Sequence, residues 1–303
     1  MRTTAPYGSW KSPITTDLIV SGSIGLGQVA LDGEDIYWVE MRPSEGGRMV
    51  LVKHDPEGEI VDVTPEPYSV RTRVHEYGGG AFLVHEEVVY FSNYSDQRIY
   101  RQENGGEPQA ITPDVEMRYA DGCFDPARNR IICVREDHTG EGEPVNCIVA
   151  VDALGKTEQQ VLSKGSDFCS NPRISPDGAK LAWLTWDHPN MPWDGTFLLV
   201  ASFNDQGLLG ESQVVAGGRT ESIFQPEWSP DNVLHYVSDR SGWWNLWRHE
   251  KGPDRQLAKR SAEFGKPQWV FGSGTYSFAS AELIACSYVE NGEWKVSMLH
   301  IES

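Results

Sequence analysis

The chain has 303 residues and a formal net charge of −18, from 44 acidic and 26 basic side chains. This excess of carboxylates would repel a phosphate backbone, so nucleic acid is excluded as an expected partner. The 11 Trp, 11 Tyr and 10 Phe beside 30 Gly and 18 Pro favour packed sheets joined by turns, and no stretch shows a sustained helical period.

Residues 1–23 form a weakly patterned lead-in segment, in which Asp17 to Val20 is the only stretch that predicts a strand. The first residues lack the apolar core of a signal peptide, and no uncharged apolar run is long enough to span a bilayer. The 5 cysteines, an odd count without C-x-x-C spacing, fit buried free thiols in a reducing compartment. We therefore expect a cytoplasmic location, with no membrane partner, no metal and no cofactor.

Turns built on proline and aspartate recur along the chain and precede strand-like segments. Ser175-Pro176-Asp177-Gly178 stands before Lys180 to Trp186, and Ser229-Pro230-Asp231-Asn232 stands before Val233 to Val237. Because Pro presets φ and Asp or Asn tolerates the tight geometry that follows, each turn predicts a hairpin. With a third copy at Pro126, the turn prolines are 50 and 54 residues apart, a spacing that predicts propeller blades.

The fold expected from this repeat is an all-β propeller of about six four-stranded blades. The blades are placed approximately at residues 24–64, 77–112, 119–162, 171–216, 226–259 and 267–303. The last blade is expected to be incomplete, because only three strand-like segments follow Pro267. Since an open blade exposes an unpaired edge, either the chain is a fragment or Asp17 to Val20 supplies the missing strand.

Three motifs carry a more specific signal than the repeat. They are the segments Thr4–Pro13, Arg71–Gly80 (R-T-R-V-H-E-Y-G-G-G) and Glu263–Trp269 (E-F-G-K-P-Q-W). Together with the S-P-D-G turns, which look like TolB-type propeller repeats, they resemble the prolyl oligopeptidase family in its dipeptidyl-aminopeptidase and acylaminoacyl-peptidase branch. The resemblance covers nearly the whole chain, and the decamer Arg71–Gly80 is its most specific part.

The resemblance implies an N-terminal propeller joined to a C-terminal α/β-hydrolase domain that carries a Ser, Asp, His triad. That second domain is missing from this sequence. The nucleophile elbow G-x-S-x-G is absent, and the segment from Gly210 to Val214 (G-E-S-Q-V) fails at its last position. No catalytic residue is therefore assigned, and the chain by itself is not expected to hydrolyse peptides.

One dipeptide before each innermost strand is expected to line one mouth of the propeller channel. Alignment of the blades gives Glu76-Tyr77, Arg118-Tyr119, Asp167-Phe168, Ser222-Ile223 and Glu263-Phe264. In the prolyl oligopeptidase family, which the chain resembles, this face of the propeller meets the hydrolase domain. The five dipeptides would then line the substrate route, and the carboxylate of Glu76 or Glu263 would bind a peptide's ammonium group. Alternatively, the aromatic rings pack between blades and the charges are merely solvated.

Arg71, Arg73 and His75 allow two interpretations of equal weight. Two guanidinium groups and an imidazole before a glycine-rich strand make a cluster suited to contacting a substrate or the hydrolase domain. The same residues are also suited to an interblade salt-bridge network with Glu76.

Two further stretches receive a structural interpretation. Close packing at a narrow channel is favoured over anion binding for Gly78 to Gly80. Strand alternation places Trp243 and Trp247 on one face and Trp244 on the other, which favours core packing over a carbohydrate-binding platform.

These observations lead to one preferred function and two alternatives. The preferred function is a noncatalytic propeller that caps a serine peptidase, admits short or unfolded peptides and excludes folded proteins; its partner is a peptide substrate reached through the linked hydrolase domain. The first alternative is a free-standing propeller that acts as a protein-interaction scaffold, and a homo-oligomer is compatible with either. The second is a propeller enzyme of the glycosidase or lactonase type, against which the lack of repeated inward Asp and Asn residues argues.

Overall fold

Antiparallel strands make up almost all of the regular structure in this computed structural model, which describes residues 4–103 and 105–301. The strands form six sheets, five of four strands and one of three, and each sheet is built from consecutive strands, as in the blades of a six-bladed β-propeller. The predicted all-β propeller is confirmed, including the three strands of its last blade. Within the described ranges, the helical segments are a five-residue α-helix at Thr16–Val20 and a 3-10 turn at Pro43–Glu45.

Residues 1–70 form one compact unit that contains blade 1. Its strands are β1 (Gly25–Asp32), β2 (Asp35–Arg42), β3 (Arg48–His54) and β4 (Ile60–Asp62). The centre of β3, Val50 to Val52, is fully buried. On the edge of the blade, Arg42 pairs with three carboxylates, and these hold β2, the 3-10 turn and β4 together.

The segment from Asp17 to Val20 is a helix, so the strand predicted there is wrong. Thr15 is extended, and its side-chain oxygen accepts a hydrogen bond from the backbone N of Leu18 at 3.1 Å, which is the geometry of a helix N-cap. The helix α1 (Thr16–Val20) has no buried residue and belongs to no sheet. It therefore does not supply the fourth strand that the sequence left open for the last blade.

Residues 71–303 form the second compact unit and contain blades 2 to 6. Blade 2 consists of β5 (Phe82–His85), β6 (Val88–Ser92), β7 (Ile99–Glu103) and β8 (Gln109–Ala110). Blade 3 consists of β9 (Met117–Asp125), β10 (Arg130–Asp137), β11 (Val145–Asp152) and β12 (Gln160–Lys164). Blade 4 consists of β13 (Phe168–Ile174), β14 (Lys180–Trp186), β15 (Phe197–Ser202) and β16 (Gln213–Gly217). Blade 5 consists of β17 (Ile223–Trp228), β18 (Leu234–Ser238), β19 (Asn245–Arg248) and β20 (Arg255–Gln256). Blade 6 consists of β21 (Tyr276–Ser280), β22 (Leu283–Glu290) and β23 (Glu293–His300).

The Ser-Pro-Asp turns close the first hairpins of blades 4 and 5 through side-chain hydrogen bonds. The Ser175 hydroxyl donates to Asp177 Oδ1 at 2.6 Å and accepts from the backbone N of Lys180 at 2.9 Å. In the second turn, the Ser229 hydroxyl donates to Asp231 Oδ1 at 2.5 Å and accepts from the backbone N of Val233 at 3.1 Å. Each turn thus fixes where the next strand starts and sets the register of its hairpin.

A bulge recurs at the same place in the inner strands of blades 3, 4 and 5. Asp121, Asn171 and Gln225 have φ values of 56°, 50° and 48°, and the strand register shifts at each of them. The bulges direct polar side chains towards the next blade: Asp121 Oδ2 accepts from the backbone N of Asn171 at 2.7 Å. Arg173 then bridges Asp121 at 3.2 Å and Glu227 at 3.0 Å, so one guanidinium group connects three successive blades.

The tryptophans of blade 5 match the core-packing prediction only in part. Trp244 packs against the buried cluster around Phe224 and Tyr288, and Trp247 packs against the cluster around Tyr236. Trp243 is 42% exposed, because it lies in the turn before β19 rather than on the strand.

Candidate functional site

A cavity of about 320 Å³ lies within the second compact unit. Its lining comes from residues 75–77 before blade 2, residues 136–144 of blade 3, residues 186–193 of blade 4 and residues 268–271 before blade 6, together with Phe168. Loops from four blades therefore converge on one volume. Rigid sheets that present loops to a shared cavity are a common arrangement for binding sites.

The inner wall of the cavity is aromatic. The imidazole of His75 contacts the rings of Phe168, Trp186 and Phe271, with centroid distances of 5.1, 5.6 and 4.9 Å. The rings of Phe168 and Trp186 are stacked at 5.4 Å. Trp186 and Phe271 are only 6% and 5% exposed, so this wall is a fixed part of the fold.

The rim of the cavity carries a second aromatic row that faces solvent. Tyr77 meets Trp269 edge to face at 5.5 Å, and Trp269 meets Trp193 at 4.5 Å. Tyr77 is 63% exposed and Trp269 is 52% exposed. The ring faces at the rim are therefore available to a ligand.

The decamer Arg71–Gly80 folds tightly, which explains its three glycines. Gly78, Gly79 and Gly80 all have positive φ, and an added Cβ would lie 2.1 Å from the backbone oxygen of Thr72 at Gly78 and 2.3 Å from that of Phe271 at Gly79. The backbone N of Phe271 donates to the Gly78 carbonyl at 2.9 Å. Close packing thus accounts for the glycines and fixes Phe271 in the cavity wall.

An ion cluster centred on Arg118 lies next to the cavity. Arg118 Nη1 is 3.0 Å from Glu76 Oε1 and 3.3 Å from Glu136 Oε2. Glu136 is 4% exposed and also accepts from the backbone N of His75 at 3.1 Å and contacts His138 Nε2 at 2.8 Å. The Glu76 side chain is 77% exposed, and the Arg118 guanidinium holds the pKa of that carboxyl below its ordinary value. Glu76 therefore remains an anion at the mouth of the cavity.

His75 serves this site as a neutral ring. Asn146 donates through Nδ2 to the Asp167 carbonyl, so its Oδ1, 3.1 Å from His75 Nε2, acts as the acceptor and places the proton on Nε2. Burial lowers the pKa of His75 below its ordinary value. The imidazole thus orders the aromatic wall and carries no charge near neutral pH.

Arg71 and Arg73 lie outside the cavity lining. Their guanidinium groups stack over the ring of Tyr94, at 4.7 and 5.8 Å from its centroid, and the backbone N of Arg73 donates to Gln97. Among the described residues, Arg118 rather than either of these arginines forms the ion pair with Glu76. Of the candidate residues predicted in the decamer Arg71–Gly80, three line the cavity, namely His75, Glu76 and Tyr77.

Glu263 and Phe264 also lie away from the cavity lining. Glu263 accepts from the backbone N of Trp244 at 2.8 Å and pairs through its own backbone with Val289. Phe264 is 3% exposed and stacks on Tyr288 at 4.7 Å. The five aligned dipeptides are therefore not structurally equivalent: residues 265–275 separate Phe264 from β21, whereas Phe168 begins β13 directly.

Several residues of the site carry a sequence signal that the blade alignment does not use. Met191 and Trp193 belong to the insertion between β14 and β15, and Trp269 ends the motif Glu263–Trp269. A proline- and tryptophan-containing insertion on one blade, longer than a hairpin needs, is the signal that could have indicated them.

The described part of the chain has no candidate membrane helix and no candidate metal-binding cluster. Between residues 4 and 301, residue 104 aside, no helix combines the length and apolar character needed to cross a bilayer. The same residues contain no group of three or more His, Cys, Asp or Glu side chains arranged to hold a metal ion.

Comparisons with solved structures relate the chain to puromycin-hydrolysing enzymes. Puromycin hydrolase is 35% identical, with a TM-score of 0.89 over 99% of this chain and 49% of that chain. A Mycobacterium tuberculosis puromycin-hydrolyzing peptidase is 33% identical, with a TM-score of 0.86 over 100% of this chain and 50% of that chain. An oligogalacturonate lyase from Vibrio parahaemolyticus has 12% identity and a TM-score of 0.62 over 92% of this chain and 80% of that chain, a likeness of fold alone.

No protein-family model matches the chain, and no curated protein matches it. The chain spans about half the length of the puromycin-hydrolysing structures that it resembles. Its similarity to them extends over nearly all of its own length, in agreement with the propeller region of a prolyl oligopeptidase-family peptidase that the sequence motifs indicated.

Proposed function

We propose that this chain is the noncatalytic propeller region of a serine peptidase, and that it controls which peptides reach a hydrolase domain. The observation that carries the proposal is the similarity to puromycin hydrolase, at 35% identity over 99% of this chain but only 49% of that chain. The proposal also places that peptidase in the dipeptidyl-aminopeptidase and acylaminoacyl-peptidase branch of the prolyl oligopeptidase family. The alternative of a free-standing scaffold is not favoured, because the structures with this level of identity are a hydrolase and a peptidase.

The cavity supports a role in handling the free amino end of a substrate. Glu76 and Glu143 are exposed carboxylates of its lining, and Tyr77 and Trp269 offer exposed ring faces beside them. An ammonium group is attracted both by carboxylates and by the faces of aromatic rings. The net charge of −18 adds a field that favours cationic ligands over anionic ones.

The five cysteines support a reducing compartment such as the cytoplasm. All five are free thiols, and four of them are buried. Proteins of oxidising compartments commonly pair their cysteines. We include a cytoplasmic location in the proposal on this basis.

The control of access is tested with a hybrid in which this chain replaces the matching half of puromycin hydrolase. The hybrid is expected to hydrolyse puromycin and short peptides and to leave a folded protein intact. The control is the hydrolase half without a propeller, tested on the same substrates. Cleavage of the folded protein by the hybrid as readily as of short peptides would reject control of access.

The role of Glu76 is tested by Glu76→Gln in the same hybrid. Loss of the anion at the cavity mouth is expected to lower kcat/KM for substrates with a free amino group by roughly tenfold, since hydrogen bonds to charged groups contribute more than neutral ones. N-acetylated substrates should be affected much less. Glu263→Gln is the matched control, because that carboxylate binds the backbone N of Trp244 and does not line the cavity. Equal losses for both variants would contradict the assignment.

A further inference from the structure

A second cavity, of about 260 Å³, lies between blades 3 and 4 within the second compact unit. Its lining comes from the turn before β10, the segment that joins β11 to β12 and the loop after β15. Arg130 begins β10 and lines this second cavity, whereas Glu136 lies near the end of the same strand and lines the first. At about 3.3 Å per residue, these two residues are roughly 20 Å apart along the strand. The second cavity is therefore a separate site, at the opposite end of the blades.

Arg128 presents a fixed guanidinium group at the wall of the second cavity. Its Nη1 donates to Asp125 Oδ2 at 3.0 Å and to the Gly178 carbonyl at 3.1 Å, and the guanidinium carbon lies 4.3 Å from the ring centroid of Phe203. Neither Nε nor Nη2 of Arg128 donates a hydrogen bond to another described residue. These two donors form one edge of the guanidinium plane, and such an edge matches the two oxygens of a carboxylate.

Arg130 adds a buried positive charge beside Arg128. It is 7% exposed, its Nε donates to Asp125 Oδ2 at 2.9 Å, and its Nη1 donates to Gln160 Oε1 at 3.3 Å. Its Nη2 is buried and has no hydrogen-bond partner in the part of the chain that the structure describes. Two guanidinium groups thus share the single buried carboxylate of Asp125, so the inner wall keeps an excess positive charge that an anionic group would compensate.

The rim of the second cavity carries the opposite charge. Glu158 and Asp205 line the cavity and are exposed, and neither forms an ion pair with another described residue. These carboxylates and the net charge of −18 disfavour a simple anion, whereas the two arginines disfavour a simple cation. A ligand with a negative group at its inner end and a positive group at its outer end satisfies both parts of the cavity.

We infer that the second cavity binds a free α-amino acid, whose carboxylate accepts hydrogen bonds from Arg128 beside Arg130 and whose ammonium group lies against Glu158 and Asp205. A volume of about 260 Å³ is below the roughly 300 to 1,000 Å³ of sites for drug-sized ligands, and it suits one amino acid rather than a peptide of several residues. Thr157, Gln160 and Gln206 complete the lining with polar side chains, so the preferred amino acid has a polar, uncharged side chain. This inference does not depend on the proposed function.

Binding of L-glutamine to the 303-residue chain tests the inference. Equilibrium dialysis with radiolabelled L-glutamine should show saturable binding with a Kd below about 1 mM. N-acetyl-L-glutamine and L-glutamine amide each lack one of the two charges, so each should compete at least about tenfold more weakly than unlabelled L-glutamine. No saturable binding up to about 10 mM would overturn the inference. Competition by N-acetyl-L-glutamine or inorganic phosphate as effective as that by L-glutamine would also overturn it, because the site would then bind any small anion.

Variants of the lining show whether binding occurs in this cavity. Arg128→Lys keeps the charge but loses the paired donors, and it should weaken binding of L-glutamine by roughly tenfold. Glu158→Gln, at an exposed position, should weaken it severalfold. Arg219→Met and Glu211→Gln are the matched controls, because both residues are exposed and neither lines the cavity. Thermal unfolding checks that each variant is folded, and unchanged affinity in both Arg128→Lys and Glu158→Gln would overturn the inference.

Discussion

Glu76 and Glu136 differ sharply in burial, and therefore in what each carboxylate can contribute to stability. Both pair with Arg118, but the Glu76 side chain is 77% exposed and that of Glu136 is 5% exposed. An exposed ion pair adds little to stability, whereas a buried anion that loses its cation is left poorly compensated. Glu76 is thus free to serve a ligand, and Arg118 is needed mainly to compensate Glu136.

This difference predicts unequal effects on stability. Arg118→Met should lower the free energy of unfolding by roughly 3 kcal/mol, because Glu136 remains buried without its guanidinium partner. Glu76→Gln should change it by less than about 1 kcal/mol. Urea unfolding of the two variants beside the unchanged chain measures both values. A larger loss of unfolding free energy for Glu76→Gln than for Arg118→Met would mean that Glu76 stabilises the contact between blades.

His235 predicts a dependence of stability on pH. It is 1% exposed in β18, and burial lowers its pKa from 6.5 to about 4. The imidazole of the unfolded chain therefore becomes protonated near pH 6.5, whereas that of the folded chain stays neutral until about pH 4. The contribution of His235 to the unfolding free energy is fully present above pH 6.5 and is lost as the pH falls from 6.5 to 4. A shift of this size corresponds to roughly 3 kcal/mol.

Replacement of the imidazole tests this dependence. In His235→Phe, the ring no longer titrates, so the difference in unfolding free energy between pH 7 and pH 4.5 should shrink by roughly 2 to 3 kcal/mol relative to the unchanged chain. Denaturant unfolding at a series of pH values gives the two profiles. Parallel profiles would show that His235 is not the residue responsible.

The residues of the cavity differ in how far the sequence can predict them. His75, Glu76 and Tyr77 are predictable, because the decamer Arg71–Gly80 concentrates charge and aromatic character in front of a strand. The contact between Trp193 and Trp269 has no local signature, since it joins loops of two blades that are distant in the chain. Such contacts depend on how loops fold over the blades, and the strand pattern contains no information on that.

At the scale of elements, the strands are predictable and the irregular segments are not. Proline and aspartate at the turns determine where Lys180–Trp186 and Leu234–Ser238 begin, and alternation of side chains supplies their faces. The segment from Asp17 to Val20 suggests a strand, but the cap from Thr15 and the lack of a sheet partner among the described strands leave Thr16–Val20 helical. A strand needs a partner, which a single-segment pattern does not reveal.

The last blade predicts a difference in hydrogen exchange between two strands. β23 is an edge strand of its three-stranded sheet, and its alternate residues Trp294, Val296 and Met298 are 62%, 82% and 52% exposed. β15 has a partner on each side within blade 4. Amides of β23 should therefore exchange faster than those of β15, because unpaired edges open more readily. Equal protection in the isolated chain would show that another surface covers β23.

At the scale of the whole molecule, the proposed function combines the blades, the cavity and the similarity to longer enzymes. The six blades supply rigid sheets, the loops of four of them form one cavity, and the related hydrolase and peptidase structures are about twice as long. A propeller fold alone is compatible with many functions, so the functional proposal depends on the cavity and on the 35% identity, and not on the architecture.

The last prediction is that the purified 303-residue chain does not hydrolyse peptides. Acyl transfer by a serine requires a hydroxyl activated by a base that a third group orients. Across the described residues, His188 and His249 contact Asp167 and Asp254 at 3.1 and 2.9 Å, but no serine hydroxyl is hydrogen-bonded to either imidazole. Aminoacyl and peptidyl reporter substrates should therefore remain uncleaved at any pH between 5 and 9. Turnover that co-purifies with the chain and is blocked by a serine-directed inhibitor would contradict the prediction and would require a nucleophile within these blades.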